Sequence, residues 1–145
     1  MKAGARSPTT VVLLLLLWSV APGCGEETSQ VGIVDAQGLV RLTVDVEMAE
    51  TATERSEGLS GYQSLGPNEG LLLLFPTADE VCITNQTVAF PIDVLFISAD
   101  QQVIHIEREL PAGDPGPYCH TSTWLILELQ AGAASEVTIG DWLQR

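Results

Sequence analysis

The sequence predicts an all-β protein with one or two short helices, folded as a compact sandwich or barrel. Three observations lead to this class. The stretch from Val40 to Met48 alternates apolar and polar residues with period two, which is typical of a strand with one solvated face. Several further runs of strand length follow it along the chain. Turn-forming residues separate these runs about every ten positions, as in a sheet of short antiparallel strands.

A short helix is predicted directly after the first strand. Thr51 followed by Glu54 is the pattern of a capping box, and the next residues favour helix until a glycine ends it. We therefore expect a helix from about Ala52 to Leu59. The apolar run EGLLLLF then predicts a strand that Pro76 ends, because proline cannot donate to a strand ladder.

The second half of the chain predicts more strands. EVCITNQTVAFPIDVLFIS contains two of them, with Pro91 at the entry to the second, and QVIHIERE forms another. Residues 110–122, LPAGDPGPYCHTS, hold three prolines and two glycines and predict a loop. TWLILELQ and VTIGDWL predict the closing strands, with one helical turn between them.

The N-terminal segment predicts export. Lys2 and Arg6 precede an unbroken apolar run from Val11 to Ala21, with Ser19 as the one polar residue in it. This run is too short to span a bilayer core, which needs about 20 apolar residues, but it suits a secretory signal. Small residues favour cleavage after position 23, so that residues 1–23 would form a signal peptide.

Cys24 follows the predicted cleavage point. APGC resembles a bacterial lipobox, in which the cysteine thiol receives a diacylglycerol, although Ala21 stands where leucine is usual. We expect Cys24 to attach the exported protein to the bacterial cell membrane, inner or outer; a free periplasmic or extracellular protein is the alternative. The lipidated cysteine and a flexible tether would occupy residues 24–37, with a short edge strand at 31–34 as an option. The β domain would occupy residues 38–145.

Two further cysteines, Cys82 and Cys119, lie in the expected domain. Export implies an oxidising compartment, and with Cys24 lipidated these two thiols form an even pair. We expect a disulfide, which would stabilise the domain by about 3–4 kcal/mol in the chain-entropy account. Two buried free cysteines are the alternative.

The charge of the expected mature chain excludes several functions. Once Lys2 and Arg6 are removed, four arginines and no lysine remain beside 19 carboxylates, a formal charge of −15. This charge argues against nucleic acid as a partner, and the lack of lysine excludes Schiff-base and P-loop chemistry. No phosphate-binding glycine loop and no zinc spacing is visible, so we expect no cofactor and no metal.

The order and spacing of five motifs, ERSEGLSG, NEGLLLLF, FPIDVLFI, LELQAG and IGDWL, resemble the DUF192 family, a widespread prokaryotic domain of unknown function. The resemblance covers about Leu42 to Leu143. The positions that carry it are Arg55, Gly58 and Leu59; Gly70; Pro91, Ile92 and Asp93; Leu127, Glu128 and Gly132; Gly140 and Asp141. It implies a jelly-roll-like all-β architecture, frequent export or lipid anchoring, and no established activity.

The chain departs from the family pattern before Pro91. Gln86 stands where many members have lysine, and Thr87 stands at their asparagine. If those residues make a family site, this chain has lost part of it.

Arg55, Asn85, Asp93 and Glu128 are the candidate polar site, whether for binding or for structure. Asp93 shares a strand side with apolar residues, and an unpaired buried charge costs several kcal/mol, so we expect an Arg55–Asp93 ion pair. That pair would be either a structural brace or part of a ligand site. Glu128 lies between leucines and would be either a residue of a solvated strand face or part of a site. Asn85 begins an Asn-x-Thr sequon, which we interpret as coincidental.

The histidines carry no expected chemistry. His105 is interpreted as a solvated or edge residue. Cys119 and His120 are neighbours, and neighbours in an extended chain point apart, so they do not form a nucleophile and base.

These observations favour a binding or structural module whose partners are the membrane, through the lipid, and a small ligand or another envelope protein. An enzyme with a cleft formed by Asp93, Glu128 and Arg55 is the alternative. A degenerate scaffold without a pocket is the third possibility.

Overall fold

A computed structural model describes residues 28–145, so the predicted signal peptide and Cys24 lie outside the described residues. Within this range the strands are β1 (Ser29–Val34), β2 (Val40–Ala49), β3 (Glu69–Asn85), β4 (Ile92–Ile97), β5 (Val103–Leu110), β6 (Asp114–Gln130) and β7 (Trp142–Gln144), with the helix α1 (Ala52–Glu57) between β2 and β3. The predicted all-β class is therefore confirmed. No helix in the described part of the chain is long and apolar enough to cross a membrane.

One seven-stranded sheet, not closed into a barrel, runs in the order β5-β4-β6-β3-β2-β1-β7. Neighbours are antiparallel except β2 and β3, which are parallel and joined through α1. β1 pairs with β2 on one side and β7 on the other. The sheet therefore already begins at Ser29, inside the segment 24–37 that the sequence assigned to a tether.

The helix begins as the capping box predicts. The Thr51 side chain accepts a hydrogen bond from the Glu54 backbone N–H at 3.2 Å, and the Glu54 carboxylate accepts from the Thr51 and Glu50 N–H groups at 2.9 and 2.8 Å. Those backbone donors, that of Thr51 first, hold the pKa of Glu54 below its usual value. The helix ends at Glu57, two residues earlier than expected, because Gly58 caps it at a positive φ of 49°.

Two predicted breaks are wrong, because β3 and β6 are each 17 residues long. β3 continues through Pro76, and β6 occupies most of the predicted loop 110–122. The prolines lie where the ladder is interrupted: the pairing of β3 with β6 shifts between Leu74 and Asp79, and again between Ile83 and Asn85. At such bulges a missing N–H removes no ladder bond, so proline is tolerated.

Two buried apolar clusters flank the central strands. All six residues of β4 are buried, and their alternation sends Leu95 and Ile97 into one cluster and Val94 and Phe96 into the other. Leu127 and Ile126 of β6 divide in the same way. Both faces at the centre of the sheet are therefore buried from solvent, and polar groups placed there need hydrogen-bond partners within the protein.

The disulfide between Cys82 and Cys119 is present, as predicted. The two cysteines lie directly opposite each other in the register of β3 and β6. The bond therefore joins the outer parts of the two longest strands, beyond the first interruption of their ladder.

Candidate functional site

Asp93 is buried, with 1% of its surface exposed, as the alternation on β4 predicts. Its partner is not an arginine. One carboxylate oxygen accepts from the Glu109 N–H at 2.9 Å, and the other accepts from Gly132 at 2.9 Å and Ala134 at 3.0 Å. The predicted Arg55–Asp93 ion pair is therefore wrong, and backbone donors supply the stabilisation that we assigned to Arg55.

Arg55 instead supports the end of α1. Its Nη1 donates to the carbonyl oxygen of Glu50 and to that of Leu74, the latter at 2.8 Å. The guanidinium also lies 5.2 Å from the centre of the Phe75 ring, within the range of a cation–π contact. These contacts attach the helix to β3.

Asn85 is completely buried at the end of β3. Its Nδ2 lies within hydrogen-bond distance of the carbonyl oxygens of Phe90, Leu110 and Pro111, at 3.1, 3.1 and 2.8 Å. The side chain therefore fastens two chain segments together, and the sequon amide has no exposed surface for a glycan.

Glu128 is also buried, with 6% of its surface exposed, so the expectation of a solvated strand face is wrong for this residue. The reason is that β6 has a neighbouring strand on each side and is covered on both faces. Oε2 is buried and has no hydrogen-bond partner within residues 28–145. Burial raises the pKa of Glu128 to about 7, because the charged form loses its hydration without gaining a donor.

A pocket of about 260 Å³ opens over Glu128, between the end of α1 and the strands β3 and β6. Gly58 forms the part nearest the carboxyl group, and a Cβ at this position would lie 3.5 Å from Glu128 Oε2. The glycine therefore lies against the buried carboxyl group, and a side chain at residue 58 would pack directly on Oε2. We call this cavity the Glu128 pocket.

Hydroxyl groups form part of the lining of the Glu128 pocket. Ser60 and Thr87 are hydrogen-bonded to each other. Thr84 and the disulfide-bonded Cys82 also line the pocket. We did not predict Ser60 and Thr84. For Thr87 the sequence held a signal, since it is one of the residues that depart from the family pattern.

The structure brings together two of the four predicted site residues. Arg55 and Glu128 both line the Glu128 pocket, whereas Asp93 lies beside Arg108 and Gly132 at a different depression, and Asn85 is enclosed. A carboxyl group with a pKa near neutrality can either donate or accept a hydrogen bond at physiological pH. The pocket therefore offers one strong, unsatisfied polar anchor inside a partly apolar cavity.

Comparison with known proteins agrees with this architecture. A protein of unknown function from Novosphingobium aromaticivorans DSM 12444 superposes with a TM-score of 0.77 at 25% identity, covering 88% of this chain and 91% of that one. A protein from Sinorhizobium meliloti 1021, described as "a putative transcription regulator", gives a TM-score of 0.77 at 24% identity, covering 82% and 94%. No curated protein matches the chain significantly.

The family model of DUF192, described as "Uncharacterized ACR, COG1430", matches residues 33–144. This range spans nearly all of the described sheet and every motif on which the resemblance rests. The chain therefore belongs to the DUF192 family.

Proposed function

We propose that this protein is an exported, lipid-anchored module of the bacterial cell envelope that binds a small cationic ligand in the Glu128 pocket. The observation that carries the binding proposal is the buried Glu128 carboxyl group, whose Oε2 has no partner within residues 28–145, in a residue that lines the pocket. A buried acceptor without a partner costs about 1–3 kcal/mol, which a ligand donor would recover.

The anchor proposal is supported by the leader and by the position of Cys24. Five residue steps separate Cys24 from Ser29, where β1 begins. A fully extended chain covers at most about 3.6 Å per residue, so the sheet would begin within about 18 Å of the lipid attachment. The domain would thus be held close to the membrane surface.

An amine is the ligand group that the pocket suits best. Glu57 is a second carboxylate residue in the lining of the pocket, and the guanidinium of Arg55 is already bound to backbone carbonyls. The mature chain, with four arginines beside 19 carboxylates and a formal charge of −15, adds a field that attracts cations. Ser60 and Thr87 would accept further hydrogen bonds from the ligand.

The enzyme alternative has one supporting observation, the pKa of Glu128 near 7, which suits a general acid or base. Its other requirement was convergence of Asp93 with Glu128 and Arg55. Asp93 is saturated by three backbone donors and does not line the Glu128 pocket. Binding is therefore the function that the geometry supports best.

The anchor proposal predicts the intact mass of the native protein extracted from membranes. We expect the mass of a chain that lacks residues 1–23 and carries acyl chains on Cys24. Reduction of the Cys82–Cys119 disulfide should raise this mass by two hydrogens. Intact-mass spectrometry with and without reductant measures all three, and Cys24→Ser is the control. A mature protein with an unmodified Cys24, or with the leader attached, would contradict the proposal.

The binding proposal predicts stabilisation by small amines. At a concentration ten times its Kd, a ligand adds about 1.4 kcal/mol and raises Tm by about 5 °C. The probes are a panel of alkylamines, amino sugars and matched polyols without the amine, measured by thermal shift with each protein variant compared to itself without probe.

The variants decide whether the effect comes from the pocket. Glu128→Gln should lose the response to amines, because it removes the anionic partner while keeping the side-chain volume. Glu136→Gln, at an exposed glutamate, should keep the response. If no amine stabilises the wild type, or if Glu128→Gln responds as the wild type does, the binding proposal is wrong.

A further inference from the structure

A second cluster of titratable side chains lies away from the Glu128 pocket, where side chains of β5 and the outer part of β6 meet. His105 and Glu107 are two residues apart on β5, and His120 belongs to the outer part of β6. Glu107 Oε1 lies 2.8 Å from Nε2 of His120 and 3.4 Å from Nε2 of His105. The two imidazole rings are stacked with centroids 3.5 Å apart.

The donor atoms of these three residues already have nearly the spacing of a metal site. One ligand atom from each residue can be chosen so that all three lie within 4.8 Å of one another. In tetrahedral zinc sites the metal–ligand bonds are about 2.0–2.1 Å, which places neighbouring ligand atoms about 3.4 Å apart. Small side-chain rotations would therefore suffice to close three ligands around one ion.

Surrounding contacts hold both rings in place. Phe96, which is completely buried, packs its ring edge-to-face against both histidines, with centroids 4.4 Å from His120 and 6.3 Å from His105. His120 follows Cys119 directly, so the disulfide to Cys82 fixes the strand that carries it. Because the ligand side chains are already held in place, ion binding loses less side-chain conformational entropy.

The cluster remains open on one side. The side chains of His105, Glu107 and His120 are 41%, 22% and 21% exposed, and a depression of about 350 Å³ lined by Ile104, Thr121 and Ser122 adjoins the rings. Three protein ligands with an open fourth position are typical of zinc sites that exchange water or a further ligand, whereas structural sites are closed by four.

We propose that His105, Glu107 and His120 form a binding site for a late first-row divalent cation, with Zn²⁺ as the representative ion. Two imidazole nitrogens and a carboxylate oxygen are ligands that zinc, nickel and copper accept and that magnesium and calcium disfavour. On binding, each Nε2 that donates to Glu107 releases its proton to the solvent, with Nδ1 keeping or taking up the proton of the neutral ring, and presents its lone pair to the ion. Glu107 exchanges its contacts with the rings for a bond to the metal. The site is independent of the Glu128 pocket.

The test uses the full chain produced without a histidine tag, treated with chelator and titrated with Zn²⁺ by calorimetry at neutral pH. We expect saturable binding of one ion per chain. Because the protein has two histidines, nitrogen-15 spectra of the imidazoles assign the ligands directly. Zn²⁺ should shift Nε2 of both rings, and Mg²⁺ should shift neither.

Variants separate the cluster from adventitious binding to an acidic surface. Glu107→Gln preserves the side-chain shape and should weaken Zn²⁺ binding by more than about tenfold, the smallest loss expected for a direct ligand when outer-shell partners already cost 10–100-fold. Glu109→Gln, an exposed glutamate on the same strand, should leave the affinity unchanged. The proposal would be overturned if Zn²⁺ binding is not saturable or if Zn²⁺ shifts the nitrogen-15 resonance of only one histidine. Equal Zn²⁺ affinity in Glu107→Gln and the wild type would also overturn it.

Discussion

Replacing Asp93 with asparagine is expected to lower the free energy of unfolding by about 4 kcal/mol. The carboxylate accepts three backbone N–H groups, from Glu109, Gly132 and Ala134, and it is 1% exposed. Asparagine has one acceptor oxygen, so its NH₂ group would face at least one of these donors. Hydrogen bonds to a charged group are worth about 1.5–3 kcal/mol each. The variant keeps some of these bonds without the charge that strengthens them, and it leaves a buried donor without a partner.

Chemical denaturation measures this effect, and hydrogen exchange locates it. The amides of Gly132 and Ala134 should exchange much faster in the variant, because the carboxylate holds the turn that carries them. Asp100→Asn, at an exposed aspartate after β4, is the matched control and should change stability by less than about 0.5 kcal/mol. A loss below about 1 kcal/mol in Asp93→Asn would show that the turn is held by other contacts.

The partner of Asp93 illustrates what the sequence can and cannot predict. Period-two alternation placed Asp93 on the buried side of its strand, and burial correctly implied a compensating partner. Arg55 was the charged side chain predicted for this role. Backbone N–H groups carry no signature in the sequence, and the three that bind Asp93 come from two segments that only the folded chain brings together.

The strands show a similar division. β2 and the capping box before α1 follow from local patterns, because each depends on residues within one turn or one strand. The lengths of β3 and β6 do not, since Pro76 and the prolines of residues 110–122 are acceptable only where the ladder between the two strands shifts register. That shift depends on pairing between distant segments.

The two candidate sites differ in how much of them the sequence predicts. The enzyme alternative placed Asp93, Glu128 and Arg55 in one cleft, and two of these three, Arg55 and Glu128, line the Glu128 pocket. His105 and His120 were interpreted as residues without chemistry, although the spacing of His105 and Glu107 already places them on one strand face. Their contact with His120 depends on β6 extending over residues that were predicted to form a loop.

Glu128 should make the domain less stable as the pH rises from about 4.5 to about 7. Its pKa is about 7 in the folded protein and 4.5 as the unperturbed value, so the folded state binds the proton more tightly than the unfolded state. The contribution of the neutral carboxyl group is complete below pH 4.5 and is lost as the pH rises through the folded pKa. A shift of this size corresponds to about 3 kcal/mol of unfolding free energy.

Comparison with Glu128→Gln isolates this contribution from those of the other carboxylates. Backbone donors lower the pKa values of Asp35, Glu54 and Asp114, so these groups act with the opposite sign, adding stability as the pH rises through the acid range. They are unchanged in Glu128→Gln and cancel in the difference. The glutamine side chain stays neutral, so the variant should equal the wild type near pH 4.5 and exceed it by about 3 kcal/mol at pH 8.

Urea denaturation of both proteins at several pH values gives this difference curve directly, and Glu136→Gln, at an exposed glutamate, should give a flat one. Carbon-13 titration of the Glu128 carboxyl group provides an independent midpoint near pH 7. The same curve also bears on binding: an amine that pairs with the ionised carboxylate must lower its pKa, so saturation with ligand should move the midpoint down and remove most of the loss. A difference that does not depend on pH would mean that the folded protein solvates the carboxylate, and the pocket would then lose the unsatisfied anchor from which its function was inferred.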